Sequence, residues 1–215
     1  SVDTVFGSNS NLTLNNTRSN IKTYIEDTWY ANNMTSYTDK LESSAGYCND
    51  RSVYDTTGAA LTEVTPQQSV QINFGARQRN YVDDSGGPSL TCPRDNVDNY
   101  SYVANSNGTA NELKYPAALI TADEVALAGS GRSSGNPTTY NAKSFLNSGS
   151  YFWLLSPYYR GSGGNANEFR LGSSGGLNDY IVINGRGVRP AISLKPGTYV
   201  TSGNGTATNP WTINE

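Results

Sequence analysis

The chain has 215 residues and a net charge of −3; only 15% of its residues are charged, while glycine (22) and tyrosine (15) are frequent. It contains no histidine, which excludes Ser-His-Asp and Cys-His nucleophilic systems, and no basic stripe of the kind that binds nucleic acid. No run of about 20 apolar residues predicts a membrane span. The abundance of asparagine, serine, threonine and glycine favours turns and sheets over long helices.

The N-terminal segment, residues 1–19, is polar and aperiodic, so we expect a linker or the remnant of a strand there. Its one candidate strand is Val2–Phe6. Ser1 leads directly into polar residues without the pattern of a signal peptide. We therefore interpret the chain as a mature product or as a piece of a longer protein.

An amphipathic helix is predicted next, with Ser19 or Asn20 as its N-cap and an end near Asn33. Its apolar positions follow the i, i+3, i+4, i+8 spacing of one helix face and are Ile21, Tyr24, Ile25 and Trp29. A weaker helical pattern holds Tyr37 and Leu41.

The middle of the chain carries few regular signals. Tyr47–Tyr54 is predicted to be extended, and Val70–Phe74 is the one plausible strand of the long stretch that follows. Thr121 and Glu124 form the pattern of a capping box that opens a short helix, which Gly129 ends.

The two cysteines, Cys48 and Cys92, are too few for a tetrahedral zinc site in a chain without histidine, and they lack CxxC spacing. One disulfide is the preferred interpretation, because the composition is typical of secreted proteins. Two buried, reduced thiols are the alternative.

The strongest strand signals lie in the C-terminal third. Tyr151–Leu155 is a continuous apolar run typical of a buried strand, and Phe169–Leu171 and Tyr180–Ile183 are short strands joined by a glycine-rich turn. Asn184-Gly185 suits a tight turn into Val188–Leu194. Because the connections are short, these strands are predicted to be antiparallel neighbours.

Several motifs resemble those of one group of proteins. WLLSP (Trp153–Pro157) followed by GVRPAISL (Gly187–Leu194) is similar to an uncharacterised group of bacterial and phage surface modules with a C-type-lectin-like fold. Formylglycine-generating enzymes and the variable proteins of diversity-generating retroelements share that fold. Further matching segments, from about residue 21 to 211, are YCNDRSV (Tyr47–Val53), LTCP (Leu90–Pro93), YPAALITADEVALAG (Tyr115–Gly129) and NGTATNPW (Asn204–Trp211).

The resemblance implies an α+β, C-type-lectin-like fold in which short helices pack on a small antiparallel sheet with many loops. It divides the chain into an N-terminal linker or strand remnant (1–19), the lectin-like domain (20–195) and a C-terminal extension (196–215). Members of the group begin with a strand that pairs with the GVRP strand. Residues 1–19 offer little for that position, so a neighbouring chain is a candidate donor.

No catalytic residue is assigned, and we expect no enzymatic activity. Formylglycine-generating enzymes bind copper through two cysteines in the C-terminal half, whereas the cysteines here lie elsewhere. Three acidic pairs are candidates for glycoside hydrolysis by count alone, and each has a simpler role as a turn former, a loop acid or a helix N-terminal acid. They are Asp83/Asp84, Asp95/Asp98 and Asp123/Glu124.

Residues 158–186 have the composition of an antibody-like binding surface, because tyrosine gives rigid contact area and asparagine, glycine and arginine give adaptable or planar hydrogen bonds. Ordinary solvated loops are the alternative. The candidate ligand-binding residues are Tyr158, Tyr159, Arg160, Asn165, Asn167, Glu168, Arg170, Asn178, Asp179, Tyr180, Asn184 and Arg186. Arg189 is expected to stabilise the fold instead. Calcium is a minor expectation, since Asn178-Asp179 only partly matches a lectin motif.

These features predict an extracellular, cell-surface or virion-surface recognition or adhesion module that binds a glycan or a protein. The first alternative is a structural subunit of a fibre or sheath, assembled from copies of itself by strand exchange. The second is a retroelement-diversified receptor-binding protein, since the loop residues are those that mutated adenine-rich codons give. No nucleic-acid partner and no membrane insertion are expected.

Overall fold

The computed structural model describes residues 18–61, 71–82, 87–93, 98–108, 112–131, 144–162, 165–206 and 208–214. In these residues a few short helices accompany an antiparallel sheet, so the fold is α+β as predicted. None of the described helices has the length and apolar character needed to cross a membrane. The candidate strand Val2–Phe6 lies outside the described residues.

The helices are short, and two of them change their winding along their length. Helix α1 (20–33) consists of α-helical Asn20–Thr23, π-helical Tyr24–Tyr30 and α-helical Ala31–Asn33, and a 3₁₀ segment, Thr35–Lys40, follows it. Helix α2 (75–82) joins α-helical Gly75–Arg77 to π-helical Gln78–Val82, and α3 is Ala122–Leu127.

Helix α1 begins as predicted, with Ser19 as its N-cap: the Ser19 hydroxyl accepts a hydrogen bond from the backbone N–H of Lys22 at 3.0 Å. Its predicted apolar face is partly wrong, because Tyr24 is 45% exposed. The π-helical turn is wider than an α-helical turn. The buried apolar positions are therefore Ile25 and Tyr30, which are five residues apart.

Helix α3 is closed at both ends by the predicted groups. The Thr121 hydroxyl accepts from the Glu124 N–H at 3.1 Å, and the Glu124 carboxylate accepts from the Thr121 N–H at 2.7 Å. This reciprocal pair confirms the capping box. Gly129 lies just beyond the helix with φ of +95°, which only glycine adopts without strain.

The twelve described strands are short except for β7. They are β1 (Gly46–Cys48), β2 (Val53–Tyr54), β3 (Ala60–Leu61), β4 (Ile72–Phe74), β5 (Asn99–Ser101), β6 (Ala117–Leu119), β7 (Phe152–Arg160), β8 (Ala166–Leu171), β9 (Leu177–Ile181), β10 (Pro190–Ile192), β11 (Val200–Ser202) and β12 (Thr212–Ile213).

Six strands form the main sheet in the order β3-β2-β4-β7-β8-β9, and every pair in it is antiparallel. The predicted antiparallel pairing of the strands after Tyr151 is thus confirmed for β7, β8 and β9. Strands β1 and β5, β6 and β10, and β11 and β12 form three further antiparallel pairs.

The predicted neighbour of β9 is wrong. Val188–Leu194 does not turn back along β9; its central part, β10, pairs with β6 instead. Gly187 directs the chain there, since its N–H donates to the Tyr151 carbonyl and its carbonyl accepts from the Trp153 N–H, each at 3.0 Å. A Cβ at Gly187 would lie 3.0 Å from that Tyr151 oxygen, so glycine permits the close approach. Pro190 begins β10, where a strand tolerates proline.

Strand β7 carries two hydrophobic clusters, one on each face of the sheet. Trp153 packs with Ile25, Tyr30 and Leu119 in the first cluster. Phe152 and Leu154 belong to the second, which also contains Val125 and Phe169. Because successive side chains of a strand point to opposite faces, two buried faces require the continuous apolar run that the sequence shows.

Glu26 is a fully buried acid on the inner side of α1, with 0% exposure. Its carboxylate accepts from Arg18 at 2.6 Å, from Lys22 Nζ at 2.7 Å and from the backbone N–H of Lys114 at 2.8 Å. Burial lowers the pKa of Lys22, although Glu26 acts in the opposite direction. Glu26 thereby joins the helix to the 112–131 segment.

Replacing Glu26 with glutamine leaves Lys22 without its anion in a desolvated site and leaves Arg18 with only the more exposed Asp27. We expect Glu26→Gln to lower the free energy of unfolding by about 3 kcal/mol, measured by urea denaturation. Asp27→Asn is the matched control: it removes a neighbouring acid that also pairs with Arg18 but is 38% exposed, and should cost less than about 1 kcal/mol. Equal effects of the two changes would refute this role of Glu26.

Cys48 and Cys92 form a disulfide, with a Cα–Cα distance of 5.5 Å across 44 positions of sequence. The predicted pairing is therefore confirmed. The bond ties β1 to the 87–93 segment, beside the helix α3 N-terminus.

The denatured, unreduced protein is expected to show no titratable thiol. Reduction should lower the free energy of unfolding by about 2–4 kcal/mol, because the open chain gains conformational freedom when unfolded. The Cys48→Ser/Cys92→Ser double variant should match the reduced protein and show no further change with reductant. Two thiols per unreduced chain would contradict the bond.

Candidate functional site

Strands β7, β8 and β9 hold most of the predicted ligand-binding residues, and their register divides these residues between two faces. Glu168 lies opposite Tyr180 and Arg170 opposite Asn178, while Phe169 lies opposite Asp179. Alternation places Arg170, Asn178 and Tyr180 on one face. Asn167 and Asp179 lie on the other, where the Asn167 amide donates to the Asp179 carboxylate at 2.6 Å.

Three predicted residues are buried rather than presented to solvent. Tyr158 is 7% exposed, and its ring packs edge-on against Phe169 at 4.8 Å between centroids. Burial raises the pKa of the Tyr158 hydroxyl. Arg160 and Glu168 are 7% and 5% exposed. Tyr158 is thus part of the core cluster that contains Phe169.

Glu168 is a buried acid of an unusual kind. Its Oε2 has no hydrogen-bond partner. Burial raises the pKa of the Glu168 carboxyl well above its ordinary value of 4.5. The neutral acid is therefore the form that the fold favours, and Glu168 adds little negative charge to the face that it shares with Arg170.

The other predicted residues have varied positions. Asn165 is exposed before β8, Tyr159 is half-buried with the Arg77 guanidinium 5.5 Å from its ring, and Asn184 lies in the turn after β9. Arg189 has the structural role expected of it: its guanidinium lies 4.6 Å from the Phe152 ring and donates to the Leu146 carbonyl at 2.7 Å.

We call the face of the sheet that carries Arg170, Asn178 and Tyr180 the β8–β9 face. Two arginines and two tyrosines form a cluster there, which we name the Tyr–Arg cluster: Tyr151, Arg170, Tyr180 and Arg186. The guanidinium carbons of Arg170 and Arg186 lie 4.3 and 4.2 Å from the centroid of the Tyr180 ring. They lie 4.4 and 5.6 Å from that of Tyr151. Both guanidinium groups thus contact the same ring, which brings two positive charges close together. The rings remain accessible, with Tyr151 43% and Tyr180 37% exposed.

The arginines of the Tyr–Arg cluster are held by neutral groups. In the described part of the chain, no carboxylate forms an ion pair with Arg170 or Arg186. Arg170 donates from Nε to the Asn178 amide oxygen at 2.7 Å, and Arg186 from Nη1 to the Gly185 carbonyl at 2.7 Å. Burial, and secondly the charge of Arg186, lower the pKa of Arg170. The buried Nε of Arg186 has no partner.

Three members of the cluster were predicted from sequence, and Tyr151 was not. Tyr151 precedes β7 and approaches the arginines because its carbonyl accepts from the Gly187 N–H, which brings the Arg186 segment to the start of β7. The sequence predicted Tyr151 as the first residue of a buried strand, Tyr151–Leu155. That part of the prediction is wrong, because Tyr151 lies before β7 and is 43% exposed.

A cleft of ≈ 240 Å³ lies elsewhere, between β1, α2 and the start of α3. Arg79 lies in it between two acids, donating to Asp50 at 2.8 Å and to Asp123 at 2.9 and 3.0 Å. Both acids hold the pKa of Arg79 above its ordinary value against the effect of burial. The Ser89 N–H also donates to Asp123. These charges satisfy one another, so the cleft has the character of a structural network.

The candidate acidic pairs and the calcium motif can be placed in part. Asp123 and Glu124 are engaged by Arg79 and by the capping box, while Asp83, Asp84 and Asp95 lie outside the described residues. Asn178 and Asp179 point to opposite faces of β9, so they do not form one ligand set. Among the described residues, no group of three or more acids and cysteines is placed to hold a metal ion.

Comparisons with protein-family models, with curated proteins and with solved structures found no match for this chain.

The buried Glu168 predicts an unusual dependence of stability on pH. Because its pKa is raised in the folded state, the folded protein binds more protons than the unfolded chain above pH 4.5, so this residue makes stability fall as pH rises. Glu168→Gln should therefore raise the melting temperature at pH 7.5 relative to wild type, and by less at pH 4.5.

Glu42→Gln provides a control of opposite sign. The Glu42 carboxylate accepts hydrogen bonds from Ser44, which lowers its pKa. Glu42 therefore stabilises the folded protein above pH 4.5, and this stabilisation is lost as pH falls. If the difference in melting temperature between wild type and Glu168→Gln is the same at pH 4.5 and at pH 7.5, Glu168 ionises normally.

Proposed function

We propose that the chain is a non-enzymatic extracellular recognition or adhesion module of C-type-lectin-like fold, which binds its ligand through the Tyr–Arg cluster. One observation carries the proposal: two guanidinium groups lie against two accessible tyrosine rings and have no acidic partner among the described residues. Arg79, by contrast, is paired with two acids, and Arg189 lies over the single ring of Phe152, which it shares with no second cation among the described residues. Unpaired arginines beside accessible aromatic rings are typical of binding surfaces.

Rigidity of the cluster supports this proposal. Arg170 and Tyr180 lie on paired strands whose opposite face packs against the buried side chains of Phe169 and Leu171. Stacking on the tyrosines and the bond to Asn178 restrict the Arg170 guanidinium further. A ligand then meets side chains that are already ordered, which reduces the entropy lost on binding.

The disulfide supports an extracellular or cell-surface location. Disulfides persist in oxidising compartments and are rare in the cytosol of most cells. The bond between Cys48 and Cys92 therefore suits a protein that works outside the reducing cytosol.

A structural subunit of a fibre or sheath is the second candidate. The hairpin of β11 and β12 exposes apolar and aromatic surface, with Tyr199 63%, Val200 51% and Trp211 58% exposed. Exposed apolar surface of this kind is a candidate contact with another copy.

Surface variants distinguish the two candidates. We expect Tyr180→Ala to weaken binding to glycans or cells recognised by the wild type by at least about tenfold, since aromatic residues at the centre of an interface contribute most of its energy. Tyr199→Ala is the matched control, an exposed tyrosine in the tail hairpin. Binding is measured on a glycan array and on whole cells, with melting temperatures to show that both variants fold.

The opposite result would favour assembly. Unchanged ligand binding by Tyr180→Ala, together with a native mass that falls from polymer to monomer in Tyr199→Ala, would overturn the Tyr–Arg cluster as the functional surface.

A further inference from the structure

We infer that the ligand of the Tyr–Arg cluster is an acidic glycan, one whose anionic group binds between Arg170 and Arg186. This inference rests on the proposed function, because it names the class of ligand that the proposed binding surface accepts.

The charge of the cluster indicates an anion. Two guanidinium groups that share one aromatic ring repel each other, and the structure gives neither of them an acidic partner within the described residues. Glu168, on the same face as Arg170, is buried and favours its neutral form. The neighbouring Asp179 points to the opposite face, where it binds Asn167. The charge of Asp179 acts on the pKa of Arg170 in the direction opposite to Arg186, but its effect is the smaller of the two. An anionic ligand group would remove the repulsion that remains.

The geometry leaves donors for such a group. Arg170 uses Nε for Asn178, so both of its terminal nitrogens remain available for a ligand, and Arg186 uses Nη1 for Gly185, so Nη2 remains. The Arg186 Nε has no partner but is buried, so it is not counted among the donors that a ligand reaches. A guanidinium presents its N–H groups as a planar fork that matches the two oxygens of a carboxylate or two oxygens of a sulfate.

The size of the cluster favours a glycan over a protein. A stable protein interface buries about 1,200–2,000 Å² in total. The cluster instead consists of four side chains at the edge of a sheet, with Asn178 as a further amide. That footprint suits one acidic sugar and its neighbours.

The net charge limits the density of the ligand's anions. The chain as a whole carries −3, so a polymer with an acid on every unit would be repelled outside the cluster. Two arginines compensate one or two anionic groups. The inferred ligand therefore carries isolated acids, either the carboxylate of a sialic or uronic acid or a sulfate ester.

An array of matched glycans tests the inference with the whole chain. It holds neutral oligosaccharides, the same oligosaccharides carrying one sialic acid, one uronic acid or one sulfate, the carboxyl-reduced form of each carboxylated member, and a glutamate-rich peptide. We expect binding to acidic members, a loss on carboxyl reduction, and a decrease as salt rises from 0.05 to 0.5 M. The sulfated and carboxylated arms distinguish the two sources of the anion.

Charge variants connect the result to the two arginines. Arg170→Gln and Arg186→Gln should each weaken binding to acidic glycans at least about tenfold, and Arg186→Lys should restore part of it, since lysine keeps the charge but not the planar fork. Lys195→Gln is the control, because it removes one exposed cation that lies outside the cluster.

The outcomes separate the two proposals. Binding to neutral and acidic glycans alike, abolished in Tyr180→Ala, would uphold the recognition surface and overturn the acidic ligand. Equal binding to the glutamate-rich peptide would overturn the assignment to a glycan. Binding to no member would overturn the acidic glycan, and the additional absence of whole-cell binding would overturn the recognition surface as well. Acidic binding that Lys195→Gln reduces as strongly as Arg186→Gln would overturn the assignment to the two arginines.

Discussion

Burial of β7 on both faces is the constraint on which the rest of the fold depends. Trp153 reaches one hydrophobic cluster, and Phe152 and Leu154 reach the other. The strand pairs with β4 on one side and β8 on the other, so both of its edges are occupied as well. The apolar side chains in the first half of β7 must therefore point alternately into the two hydrophobic clusters. This requirement fixes the register of the strands beside β7.

That register determines what the β8–β9 face can present. Phe169 and Leu171 are held in the core, so Glu168 and Arg170 necessarily point the other way. The same alternation brings Tyr180 beside Arg170 from β9. Gly187, bound to the start of β7 on both its N–H and its carbonyl, then places Arg186 and Tyr151 at the same point. The Tyr–Arg cluster is thus a consequence of one strand register and one glycine contact.

The sequence predicted features that depend on local chemistry. The Ser19 N-cap, the capping box of Thr121 and Glu124, and the antiparallel run of β7, β8 and β9 follow from side chains that act within a few residues. Features that depend on distant contacts were not predictable. The exposure of Tyr24 follows from a π-helical turn, and the pairing of β10 with β6 follows from the Gly187 contact with β7.

The candidate site shows the same division. Composition indicated residues 158–186 as a candidate binding surface, but it could not separate Tyr158, which is buried in the core, from Tyr180, which solvent reaches. Nor could it include Tyr151, seven positions before that range.

Charge pairing distinguishes the cluster from the sites around Glu26 and Arg79. Glu26 is surrounded by two cations and a backbone N–H, and Arg79 lies between two acids, so each of these groups stabilises the structure in which it is buried. Arg170 and Arg186 are held by rings and by neutral oxygens, which orient a guanidinium without neutralising it. Each guanidinium is stabilised by the face of the Tyr180 ring, but the two positive charges repel each other. An anion from outside the chain would remove that repulsion, and this is the physical reason to propose recognition on the β8–β9 face rather than at the cleft around Arg79.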